Sequence, residues 1–300
     1  MPSLSPGVYA PVPTPFTDRG DVDIARLRHA FGRWTASPLS GFVILGSNGE
    51  APFLDEDESD RVIAAAREVI PAGRPLVAGT GRESTRATAD ACRRAARLGA
   101  DAVIVRTPGF FKSQMTTDVF VRHYRTVADA SPVPVVLYNF TAVTGVNLAA
   151  EAVGRLAAHP NIIGIKESGG DVAQIADFVQ AGGPSFLVLA GSSTSFYASL
   201  CVGAHGGILA LACVLPDACA QLFDLVRAGR HDEAAALQRR LVPMARLLSR
   251  FGVAGMKAAL QLTGCDVGDP RGPLPPVSED GQQALRQARA AFESASATVR

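Results

Sequence analysis

Asn161-Ile162-Ile163-Gly164-Ile165-Lys166-Glu167-Ser168-Gly169-Gly170-Asp171 is a short apolar run that leaves through a lysine into a glycine-rich turn. A pattern with apolar residues recurring at three and four follows over 171–181, so strand, turn and helix are written in one stretch. The run does not alternate with polar residues, as expected of a strand covered on both faces of a parallel sheet.

Outward from this unit the same alternation fills the first two-thirds of the chain. Strands are predicted near 7–13, 41–45, 75–79, 101–105, 133–137, 161–165, 186–190 and 206–210. Helices are predicted between them near 23–36, 55–70, 84–98, 116–130, 148–158, 171–181 and 194–203. Eight such strands in succession fit an α/β fold of the closed (β/α)₈, or TIM, barrel type better than an open doubly wound sheet. The open sheet is further disfavoured because no strand leads into Gly-x-Gly-x-x-Gly; Gly79-Thr80-Gly81 lacks the third glycine. The first strand is unusual in carrying Pro11 and Pro13, with Pro15 after it, since each proline removes a ladder donor. Residues 1–215 thus read as the barrel. Residues 216–300 read as a C-terminal helical extension, with helices at Pro216–Ala228, His231–Ser249, Val253–Leu262 and Glu279–Ser294 and a Pro/Gly-rich segment at Gly264–Pro276. That tail is too apolar for a linker and should pack on the barrel or on a partner subunit.

Composition narrows the function classes. The 300 residues are 47% hydrophobic and 19% charged, which describes a globular protein with a large interior. A net charge of +1, with arginines scattered along the helices, offers no field for nucleic acid. The five cysteines form no Cys-x-x-Cys pair and mostly sit in Ala-rich helical surroundings, which suits buried thiols in a reducing cytoplasm. The five histidines show no metal-ligand spacing, so no metal is implied. Met1-Pro2-Ser3-Leu4-Ser5-Pro6 does not resemble a secretory leader, and no apolar run reaches membrane-spanning length. A cytosolic protein without a membrane partner is the expectation, which makes the glycosylation acceptor pattern Asn139-Phe140-Thr141 accidental.

In a barrel, chemistry belongs at the C-terminal ends of the strands. Strand six delivers Lys166 there, one of only three lysines in a chain that otherwise writes arginine. Arginine can neither lose its proton nor form an imine, and a desolvated lysine can do both. The alternative is a solvated lysine at a strand end. Gly46-Ser47-Asn48-Gly49-Glu50 after strand two would let backbone N–H groups approach a carboxylate, or it is simply a tight turn. Tyr138 could exchange protons with a bound intermediate, though a lone tyrosine at a strand end is commonly a core or interface residue. Glu50 and Glu167 are read as structural rather than catalytic carboxylates.

Gly-x-x-Gly-Glu after strand two, Tyr-Asn after strand five, Gly-x-Lys after strand six and Ala-Gly-Ser after strand seven resemble the dihydrodipicolinate synthase / N-acetylneuraminate lyase superfamily. Its members are class I, Schiff-base lyases and aldolases, and the resemblance runs from Gly7 to Lys257. It is nearest to the 4-hydroxy-2-oxoglutarate aldolase-like members, through Lys166-Glu167-Ser168-Gly169-Gly170-Asp171-Val172 and Leu189-Ala190-Gly191-Ser192. The resemblance implies that Lys166 forms an imine with a 2-oxo acid and that Tyr138 serves as its acid–base partner. It further implies that Ser47 and Asn48 hold the substrate carboxylate, that Ser168 and Gly191 line the distal part, that no cofactor is needed, and that the chain assembles as a homotetramer.

Several positions depart from relatives. The synthases carry an arginine five residues after the strand-five tyrosine, and this chain has Val143; the sialic acid lyases carry acidic residues where this chain has Ser192, Ser193 and Thr194. Tyr138 continues as Asn139-Phe140-Thr141 instead of reaching a proline at the third place. The strand-four tyrosine that relays protons across a subunit interface is replaced by Phe110, with Phe111 after it. The leading expectation is an aldolase acting on a 4-hydroxy-2-oxo acid. A Schiff-base dehydratase of a 2-oxo-3-deoxy sugar acid, a hydratase-aldolase for an apolar aldehyde and a non-catalytic 2-oxo-acid-binding relative are the alternatives.

Overall fold

The computed structural model describes residues 4–297, and Met1–Ser3 of the N-terminal stretch read above lie outside them. Element order follows the predicted alternation. The first half runs β1 (Gly7–Pro11), α1 (Ile24–Thr35), β2 (Gly41–Ile44), α2 (Glu56–Val69), β3 (Leu76–Gly79), α3 (Thr85–Arg97), β4 (Ala102–Arg106) and α4 (Thr117–Ala130). The second half runs β5 (Val135–Asn139), α5 (Thr141–Thr144), α6 (Ala150–Ala157), β6 (Ile162–Glu167), α7 (Val172–Gly182), β7 (Leu187–Ala190), α8 (Phe196–Cys201) and β8 (Gly206–Ile208). A short α9 (Ala210–Val214) leads into the C-terminal helices α10 (Pro216–Arg227), α11 (His231–Leu262) and α12 (Glu279–Ala297).

All strand pairs are parallel, and β8 returns to β1, closing a (β/α)₈ barrel. Polar residues of the sequence set the helix starts: Asp23, Asp55, Ser84, Thr116 and Asp171 each accept a hydrogen bond from a backbone N–H of the first turn. Two apolar clusters result. One fills the barrel with Tyr9, Val43, Val77, Ala102, Ile104, Val136, Tyr138, Leu189 and Ile208. The other lies between strands and helices and continues into the tail through Leu237, Leu241, Met256 and Leu260. With the interior plugged by side chains, only the mouth is left for a ligand.

Boundaries differ from the sequence reading where the physics is local. Strand one stops at Pro11 instead of 13, because Pro13 has no N–H to donate; Val12 still bonds the Val43 carbonyl at 2.8 Å. Strand eight ends at Ile208, and its expected last residue, Ala210, opens α9. The two helices read at 231–249 and 253–262 are both present within α11, separated as read by a kink at Gly252, whose backbone is not helical (φ 58°, ψ −138°). Cys201 is exposed, while Cys92, Cys213, Cys219 and Cys265 are buried as read. Among the described residues no helix is long and apolar enough to cross a membrane.

His123 on α4 is buried with Nδ1 2.8 Å from the Thr85 hydroxyl and with Nε2 unpartnered among the described residues. Burial pulls its pKa from 6.5 to about 4, against the nearby Glu83 charge. The unfolded chain therefore takes up this proton before the folded one, and stability held above pH 6.5 is lost as the pH falls towards 4. Acidification from about pH 7 to about pH 4.5 should destabilise the wild type by roughly 2 kcal/mol more than a His123→Gln variant, as read by denaturant unfolding. An equal loss in both proteins would refute this assignment.

Candidate active site

On β5, alternate residues Val136 and Tyr138 face the barrel interior. β6 pairs Val135 with Ile162, then skips a residue, so that Val136 meets Gly164 and Tyr138 meets Lys166. The extra residue, Ile163, is taken up as a bulge. Its consequence is chemical: a one-residue slip reverses every side chain, and this one puts Lys166 on the inward face beside Tyr138. Gly164 is required beneath it, because a Cβ there would collide with the Leu187 carbonyl on β7.

The Lys166 side chain is only 6% exposed. Its Nζ sits 4.5 Å from the centroid of the Tyr138 ring, and among the described residues no carboxylate pairs with it. The amine is thus held by a ring face and left free for chemistry. Phe140 stacks on the other partner, with ring centroids 6.0 Å apart and planes at 25°. Tyr138 Oη meets Ser47 Oγ at 3.2 Å, so β2, β5 and β6 deliver a serine, a tyrosine and a lysine to one place.

Ser47 and Asn48 are half-buried in a loop folded on itself by Gly49 N to Gly46 O (3.0 Å) and Glu50 N to Ser47 O (3.1 Å). Thr14 Oγ1 donates to the Gly49 carbonyl at 2.6 Å. Ser168 and Gly191 lie side by side at the ends of β6 and β7, so close that a Cβ on Gly191 would overlap the serine. Ser47, Asn48, Tyr138, Lys166, Ser168 and Gly191 all line one cleft of about 1380 Å³ at the C-terminal mouth. Glu167 turns outward: its carboxylate accepts from Asn139 Nδ2 (2.6 Å), Gln174 Nε2 (2.8 Å) and Gly169 N. It therefore ties β5, β6 and α7 together behind the site, the structural role read from the sequence.

Phe110 also lines the cleft, but its ring is 77% exposed and packs edge-on against Phe111 at 5.0 Å. Glu83 fixes that loop by accepting Phe110 N (2.9 Å) and Gly109 N (3.0 Å) while pairing with Arg106 (2.7 Å). Burial would raise the Glu83 carboxyl, but those hydrogen bonds outweigh it and hold the group below the usual carboxylate range.

The sequence reading missed Phe140, although it continues the inward alternation of Val136 and Tyr138. It also missed Phe251, Val253 and Leu274, which reach the cleft from the tail and carry no local signal of doing so. Among the described residues no group of three or more His, Cys, Asp and Glu side chains is placed to hold a metal ion.

A model of the dihydrodipicolinate synthetase family matches residues 4–291. The probable mitochondrial 4-hydroxy-2-oxoglutarate aldolase of Emericella nidulans is 36% identical over 290 residues, which cover 95% of this chain and 94% of the relative. The L-threo-3-deoxy-hexylosonate aldolase of Hypocrea jecorina is 33% identical over 300 residues, 95% of each chain. Among solved structures, the chloride-inhibited dihydrodipicolinate synthase of Acinetobacter baumannii, complexed with pyruvate, has a TM-score of 0.92 at 29% identity and covers 97% of this chain and 99% of its own. A likeness that runs nearly end to end in sequence and in backbone has one meaning: the chain belongs to the dihydrodipicolinate synthetase family of class I, Schiff-base lyases.

Proposed function

We propose that this protein is a cofactor-independent aldolase that cleaves a 4-hydroxy-2-oxo acid, 4-hydroxy-2-oxoglutarate or a near analogue, to pyruvate or a similar 2-oxo acid and an aldehyde. The observation that carries this reading is the buried, unpaired Lys166 amine against Tyr138, whose hydroxyl meets that of Ser47 at 3.2 Å. Lys166 Nζ attacks the C2 carbonyl and water leaves, giving an iminium. That cation draws the electrons of the C3–C4 bond as the C4 hydroxyl loses its proton, so an aldehyde departs and an enamine remains. Protonation at C3 and hydrolysis release the 2-oxo acid and restore the amine. Tyr138 moves these protons, with Ser47 as its neighbour in the relay. Ser47 and Asn48 hold the substrate carboxylate, and Ser168 and Gly191 face the leaving aldehyde portion.

The name of the Emericella nidulans relative and the pyruvate held by the Acinetobacter baumannii structure support both halves of this substrate. Val143, lining the cleft where the synthases are read to carry an arginine, speaks against the synthase reaction. A second reading, a 2-oxo-3-deoxy sugar acid as substrate, is favoured by the hydroxyl run Ser192, Ser193 and Thr194 along the cleft, where Ser192 Oγ and Thr194 Oγ1 lie 2.9 Å apart. A homotetramer is proposed as well, supported by the exposed apolar side chains of Phe110, Phe111 and Val143.

Borohydride reduction in the presence of pyruvate should add one pyruvate-derived mass to Lys166 and none to a Lys166→Ala variant; an unmodified wild type would end the imine reading. With the substrate in hand, two carbon fragments indicate an aldolase and a single dehydrated product the sugar-acid dehydratase. Tyr138→Phe should keep the trapped adduct at saturating pyruvate yet lower kcat by about 10² or more, the scale of a lost acid–base group. Sedimentation velocity tests the assembly, and a purely monomeric active enzyme would contradict it.

A further inference from the structure

Lys257 on α11 is the other buried lysine, and its surroundings are opposite to those of Lys166. Lys257 Nζ pairs with Glu50 Oε1 at 2.8 Å, with both side chains 1% exposed. The same nitrogen donates to the Asp269 carbonyl at 2.9 Å and lies 4.4 Å from the Phe16 ring centroid. Glu50 Oε2 accepts the Arg271 N–H at 2.8 Å. The Arg271 guanidinium also stacks on Phe16 at 4.4 Å, and it reaches Glu58 at 2.6 Å and the Phe53 carbonyl at 2.7 Å. Two cations from the C-terminal segment therefore grip the chain that leaves β1 and β2.

A buried ion pair adds little stability compared with apolar side chains of similar size, so stability alone does not explain this one. Its geometry suggests another use. Among the described residues only two non-glycine residues have positive φ, Leu45 (53°) and Glu50 (55°). They bracket Gly46-Ser47-Asn48-Gly49, and a left-handed conformation at such residues persists only where the surroundings impose it. Leu45 is held by burial in the apolar core, and Glu50 by its carboxylate in the grip of Lys257 and the Arg271 N–H.

We propose that Lys257 is a positioning residue that acts through Glu50 to hold the Ser47–Asn48 loop in its carboxylate-binding shape. The inference rests on the reading of that loop under the proposed function. It assigns the C-terminal segment a part in 2-oxo-acid recognition, although Lys257 itself takes no part in the chemistry.

The test compares half-saturation of borohydride-trapped imine by pyruvate and by methyl pyruvate, which lacks the free carboxylate, in wild type, Lys257→Met and Glu50→Gln/Lys257→Met. Lys257→Met should raise the half-saturating pyruvate concentration about tenfold or more and leave that of methyl pyruvate nearly unchanged. The double variant leaves no buried charge unpaired, so it tests the same point if the single variant does not fold; it should show the same selective loss. Pyruvate affinity like that of wild type, or an equal loss with both compounds, would overturn the positioning role while leaving the aldolase reading intact. A wild type that forms no adduct would overturn both.

Discussion

The alignment of Tyr138 with Lys166 across two parallel strands is the constraint on which the site depends. It is set by closure of the barrel, which fixes the order of strands, and by the bulge at Ile163, which fixes the face. Because the interior below is filled by Tyr9, Val43, Ile104 and their neighbours, the inward residues of the last layer are the first that a ligand can meet. The 3.2 Å contact of Tyr138 with Ser47 then brings the β2 loop into the same arrangement. Strand register therefore places the candidate site, and the packed barrel keeps it there.

The two buried lysines show how environment assigns a task to the same side chain. Lys257 is matched with a carboxylate, a carbonyl and a ring, so its donors are occupied. Lys166 is offered a ring face and an open cleft. Removing one partner from a buried pair costs about 3–5 kcal/mol, which keeps an amine such as Lys257 in place and out of reaction. An amine with no anion to leave can bond a carbonyl carbon without breaking anything first. Burial is common to both residues, and the partner makes the difference.

The strand exits were legible in the sequence because both faces of each strand are covered, and continuous apolar runs such as Ala102-Val103-Ile104-Val105 record that covering. Lys166 and Tyr138 stood out for the same reason, since a reactive group after such a run has to lie at the mouth. The bend at Gly252 was visible as a break in periodicity, since glycine tolerates a φ of 58° that other residues avoid. The Lys257–Glu50 pair was not legible: 207 positions separate the partners (257 − 50), and neither is marked locally as meeting the other. The helix read over 148–158 likewise gave no sign of α5 before it, a four-residue turn whose Thr144 bonds Thr107 at 3.1 Å. Short elements of this kind are held by tertiary contacts, which propensity does not record.

Strand-borne and loop-borne residues divide the labour in the proposed reaction. The imine needs Lys166 and Tyr138, both on strands whose register leaves no freedom. The aldehyde portion is met by loops, where Val143, Phe110 and the Ser192–Thr194 run can change without disturbing the lysine. Phe110 shows what such a change entails. A phenyl ring carries no proton, so a relay that reaches solvent through a tyrosine at this position is closed in this chain. Ser47 remains within hydrogen-bonding distance of Tyr138 and is itself half-exposed to the cleft. In the proposed reaction a proton leaving Tyr138 can pass to Ser47 and then to water in the cleft, so that the loop proposed to hold the carboxylate, gripped by Lys257, also lies on the proton path.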